Sequence, residues 1–269
     1  MRPFNQAIIA LIALGFVVLP HTNASETNPK LVTLIEQSGI NAVIDFIPQQ
    51  IQAQVTQIKI TEEDPEIAEQ LGSIMLKHMS SEQLREKFYI LMSSSLDNNL
   101  IDSATAIINK PLVKRITKAE INASDPANQA EMLSYISNLT KQQPSTQRIQ
   151  LIQTIETVSH SSEIIGLMLQ KVMIGMTSVF DLPEAGEAQI IKEVQQMVES
   201  QLKPQILLQY HYVYHTFSDH ELKDYIEILK TEDYQKFIVI TLAGISQILV
   251  DAFKNVASDL KKLSDAKAA

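Results

Sequence analysis

Apolar residues recur at intervals of three and four along nearly the whole chain, and alternation by two is almost absent. That period is the mark of helices packed against one another. Asn28-Pro29 reads as a cap followed by a first-turn proline, opening a helix through Leu31, Leu34 and Ile35 that Gly39 ends. A longer stripe follows at Ile40, Val43/Ile44, Ile47, Ile51, Val55 and Ile58, with Pro48 inside it as an expected kink. Asp64-Pro65 starts the next helix, and Ser80-Ser81-Glu82-Gln83 is a capping box ahead of Leu84, Phe88 and Leu91. Further starts are expected at Asn109-Lys110-Pro111, Asp125-Pro126 and Pro144-Ser145.

Two segments depart from this amphipathic pattern. Glu163–Phe180 and Phe237–Val250 are apolar on nearly every face. Such helices are buried centrally or line a ligand cavity. Both read as too short or too interrupted to span a bilayer. Gly166, Gly175 and Gly244 within them would allow close packing of neighbours. The expected fold is all-α: a multi-helix bundle, with two weakly repeated helical halves packed together. The repeat rests on Ser80–Glu86 against Ser218–Asp224, each a serine cap with Gln or Glu three residues on. Chance recurrence of a common cap is the alternative. The division is placed so that residues 25–143 form an N-terminal half and 144–263 a C-terminal half, with 264–269 as a disordered tail.

The N-terminus carries a different pattern. Arg2 precedes the short apolar run Ala7–Leu19, which Pro20 ends, and Thr22 and Ala24 are the small residues that signal peptidase requires. A spanning helix needs about twenty apolar residues, more than this run offers. Residues 1–24 are therefore expected to be a cleaved signal peptide, cut between Ala24 and Ser25. The chain has no cysteine, so disulfides, thiolate metal sites and thiol nucleophiles are excluded. Export without cysteine fits a bacterial periplasm better than a disulfide-forming eukaryotic route. With seven glycines, phosphate-cradling loops are improbable, and a net charge of −9 argues against nucleic-acid partners.

Near the C-terminus, Phe217-Ser218-Asp219-His220-Glu221-Leu222 followed by Tyr225-Ile226-Glu227-Ile228-Leu229 resembles the F-[ST]-x-x-E-L element of a family of exported bacterial helical domains of unknown function. Pro111–Thr117 resembles a short helix that such proteins carry in their first half. The resemblance implies an exported all-helical protein and transfers no catalytic residue.

Candidate chemistry is sparse. His211 and His215 are spaced i and i+4, so one helical face could offer two imidazoles to a metal. Tyr212 occupies the glutamate position of the H-E-x-x-H pattern, and a third ligand is missing, so no metal or other cofactor is expected. Ser200–Lys203 and Ser258–Lys261 match S-x-x-K without its companion motifs. Carboxylates such as Glu187, Glu193 and Glu199 fall on polar faces, and none reads as trapped in an apolar stripe. The resulting expectation is a non-catalytic binding or scaffolding module with a periplasmic protein partner. The alternative is a carrier of a small apolar ligand or lipid, lined by Ile165, Met168, Leu169, Val172, Met176 and Ile245. No transmembrane span is expected after signal cleavage.

Overall fold

The computed structural model describes residues 28–61, 65–139, 141, 143–177 and 184–268. The expected leader, Asp64, and the Phe180 end of the first apolar segment lie outside them. The described chain is all-α, an assembly of helices joined by short turns. In order these are α1 (Pro29–Gln37), α2 (Ile40–Thr61), α3 (Pro65–His78), α4 (Ser81–Ser95), α5 (Asn98–Ile108), α6 (Pro111–Ser124) and α7 (Gln129–Leu139). Then come α8 (Thr146–Ser159), α9 (Ser161–Thr177), α10 (Glu184–Met197), α11 (Lys203–Val213), α12 (Asp219–Leu229) and α13 (Glu232–Ala268).

Local chemistry accounts for most boundaries. Asn28 Oδ1 accepts from Lys30 N–H at 3.0 Å and starts α1. Gly39 follows it with φ +81°, a left-handed conformation natural to glycine. Ser80 Oγ accepts the Gln83 amide at the head of α4. At Ser218 both arms of the capping box are present. Ser145, one residue after the proline, is the cap of α8. The expected helix at Asp125-Pro126 begins as a single 3₁₀ turn before α7. His160 takes φ 52° and turns the chain between α8 and α9. Helix α2 runs unbroken through Pro48. Helix α10 passes into α11 through a π-helical turn, Val198–Leu202, just ahead of Pro204. A proline there withholds one helical donor and crowds the preceding turn, which the wider π geometry accommodates.

The second apolar segment proves to be part of a much longer element. Helix α13 has 37 residues, about 55 Å at the usual helical rise. Its stretch Glu232–Leu263 is long and apolar enough to cross a membrane, so the expectation that it is too short is corrected. The reason is that Lys236 and Asp251, the charges that flank the apolar run, lie inside one continuous helix. The same helix continues to Ala268. Just over half of its most apolar window is buried in the bundle.

Helix α13 packs against α3, α4 and α5 and also against α9. One hydrophobic cluster therefore draws Leu34 and Ile44, Phe88 and Met92, Ile101 and Ile116 together with Ile152, Val172, Ile226, Phe237 and Phe253. Both sequence halves contribute to it. A smaller cluster joins Leu169 to Ile190, Val194, Val198 and Leu202. The close packing expected at two glycines is visible. A Cβ on Gly166 would lie 2.6 Å from Val198 Cγ2, and one on Gly244 would lie 3.2 Å from Phe88 Cε2.

Candidate functional site

The most concentrated polar arrangement in the interior lies where α6, α11, α12 and α13 meet. Helix α6 buries Val113 and Ile116, and Glu120 continues that same face one turn on. The Glu120 carboxylate accepts the Tyr214 hydroxyl at 2.7 Å and the Tyr225 hydroxyl at 3.4 Å. Tyr214 is almost completely buried, and Tyr225 and Tyr234 nearly so. Tyr234, on α13, lies beside Tyr225, and the two phenols act on each other's ionisation. The Tyr210 and Tyr214 rings meet edge to face at 5.2 Å. Tyr210 carries the network to α9 through Ser161 Oγ at 2.6 Å. Nearby, Glu156 is buried and accepts the Ser162 hydroxyl.

Burial raises the Glu120 pKa above the ordinary carboxylate value, and the two phenol hydrogen bonds oppose that rise. Burial, reinforced by the charge of Glu120, pushes the Tyr214 and Tyr225 phenols well above their ordinary range. These tyrosines are therefore proton donors at neutral pH and not nucleophiles. The arrangement can hold a proton on or near Glu120 and can fix four helices against one another.

A second set of contacts locks the α11–α12 junction. Arg148, in the first turn of α8, donates to the Phe217 carbonyl at 2.8 Å, to the Tyr214 carbonyl, and to Asp219 Oδ1 at 3.0 Å. Arg115 bonds Glu221 Oε1 at 2.6 Å and stands over the Phe217 ring at 5.2 Å. Glu221 meanwhile accepts the Ser218 backbone N–H at 2.8 Å. That backbone bond, the Arg115 contact and the Ser218 hydroxyl together hold the Glu221 pKa down at about 2.

The structure places the expected site residues as follows. His211 lies in α11, but that helix ends at Val213 and His215 lies beyond it. The single helical face expected to carry both imidazoles is thus interrupted. His215 Nδ1 lies 2.5 Å from the Tyr212 carbonyl, and its ring stacks on Tyr212 at 5.6 Å. Burial, with Arg148 adding to it, lowers the His211 pKa. Among the described residues no group of three or more histidine and carboxylate side chains could hold a metal.

The residues expected to line an apolar ligand divide between two clusters. Met168, Val172 and Ile245 are buried in the main one. Leu169 belongs to the smaller one, with Ile165 packed partly buried against it. The Met176 side chain lies outside the described residues, although its backbone is in α9. Glu193 and Glu199 are exposed as expected. The expectation that no carboxylate is trapped in an apolar stripe fails at Glu156 and Glu120. Glu156 follows Ile152 and Ile155 on the buried face of α8. Both carboxylates stand at stripe spacing, which was a readable signal. No family model, curated protein or solved structure matches the chain.

Proposed function

We propose that this protein is an exported, periplasmic helical module that binds a protein partner and does no catalysis. The observation that carries the reading is that the converging polar groups are committed to one another. Glu120 receives two phenols, Glu156 a serine, Arg148 two carbonyls and a carboxylate, and Glu221 a cap and an arginine. Each of these bonds joins or ends helices, and a catalytic acid or base would need a face toward a substrate. Export is supported by the N-terminal sequence pattern alone, Arg2, Ala7–Leu19 and Thr22/Ala24.

Native mass spectrometry of protein extracted under mild conditions from its own cells tests both parts. The reading expects a chain beginning at Ser25, free of small molecules and bound in fixed ratio to one protein across independent preparations. A stoichiometric apolar molecule on the chain would establish the carrier instead. An intact Met1 on a membrane-embedded product would overturn export.

A further inference from the structure

Helices α2 and α4 face each other through two polar rungs. Asn41 Nδ2 donates to the Tyr89 hydroxyl at 3.0 Å. One turn further along α2 and one turn back along α4, Arg85 Nη1 donates to Asp45 Oδ2 at 3.4 Å. The register is antiparallel, and the rungs are deep: Asn41 is 2% exposed and Asp45 7%.

Three atoms of these rungs have no hydrogen-bond partner within the protein: Asn41 Oδ1, Asp45 Oδ1 and Arg85 Nε. Leaving buried polar groups unpaired is costly, and more so for charged ones. The ion pair is also stretched beyond the roughly 2.7–2.9 Å of a direct charge-assisted bond. The three atoms are two acceptors and one donor. Their complement is a group with two protons to give and one lone pair to offer. At this depth the group of that description is a water molecule, for which three bonds to buried polar partners is the common number.

We propose that one water is bound between α2 and α4 as a fixed part of the fold, donating to Asn41 Oδ1 and Asp45 Oδ1 and accepting from Arg85 Nε. It completes both rungs and keeps Arg85 and Asp45 paired without requiring them to close further. It also sets the spacing of α2 against α4, and α4 is a helix on which α13 rests.

A high-resolution crystal structure of the protein tests this directly. The expected result is one solvent peak within hydrogen-bond reach, roughly 2.7–3.2 Å, of all three atoms. In solution the Arg85 Nε–H should show a cross-relaxation peak to a long-lived water, and Asn41→Leu should abolish it. Arg85 Nε bonded directly to Asp45 Oδ1, or the Asn41 amide turned onto Asp45, with no peak between them, would overturn the proposal. The unsubstituted protein decides the matter even where Asn41→Leu fails to fold.

Discussion

Tyr214 donates its hydroxyl proton to Glu120 at 2.7 Å, joining the end of α11 to α6 across 94 positions of sequence. The contact binds a phenol and a carboxyl that are both displaced toward their protonated forms by burial. It is the centre of the network on which α6, α11, α12 and α13 converge, and its consequences are measurable.

The first is a pH dependence. Folding raises the Glu120 pKa above its ordinary 4.5. At pH below 4.5 the carboxyl is protonated in both folded and unfolded chains and costs nothing. As pH rises past that value the unfolded chain ionises first, so the folded state loses stability. The loss is complete once pH exceeds the raised folded value. Glu120→Gln removes this term and keeps an acceptor for Tyr214. Urea midpoints of the two proteins, compared at acid and at mildly alkaline pH, should diverge in favour of Glu120→Gln as pH rises. A constant difference would show that Glu120 is not desolvated.

Tyr214→Phe deletes the donor and leaves the carboxyl short of one partner. The expected cost is about 1–3 kcal/mol, the range for stranding a buried polar group. In a cycle with Glu120→Leu, which removes the acceptor, the two changes should be non-additive, because each deletes the same bond. Additive losses in denaturant melts would mean that the hydroxyl finds another acceptor.

At the α12 cap the sign is opposite. The Glu221 pKa is held at about 2, first by the Ser218 backbone N–H and then by Arg115. Its contribution is present above the ordinary 4.5 and disappears as pH falls toward 2. Ser218→Ala should cost about 1 kcal/mol near neutrality. Glu221→Gln should flatten the acid limb of the stability profile between those two pH values. An unchanged acid limb would show that the cap and Arg115 do not hold the charge in solution.

Much of the architecture was legible because it is written in local signals. Asn28, Gly39, Ser80 and Ser218 act within three or four residues of themselves, and their roles follow from short motifs. Asp97 is a local signal of the same kind: its Oδ1 accepts the Leu100 amide at 2.8 Å and starts α5. The length of α13 is less plain in the sequence. Single charges at Lys236 and Asp251 flank its apolar run, but a helix stops at a cap or a breaker, not at a charge. The polar network was the least legible part. Glu120 stands at stripe spacing from Val113 and Ile116, a clue on α6 alone. Its partners lie 94 and 105 positions away, and only the packing of α6 on α11 and α12 brings them together.

The apolar helices α9 and α13 lie along each other, with Met168 and Val172 of one and Ile245 of the other in a single buried cluster. A dry core and a lipid site would use the same residues, and they differ in their response to truncation and to ligand removal. Denaturant melts of Met168→Ala, Met168→Phe and Ile245→Ala, each in native and delipidated form, separate the two most directly. A non-catalytic module with a closed core predicts a loss of about 2–5 kcal/mol for each alanine variant, because a cavity is created where none existed. It also predicts no difference between native and delipidated protein. A midpoint that falls on delipidation, and that no longer responds once Met168→Phe fills the space, would contradict it and establish a carrier of an apolar ligand.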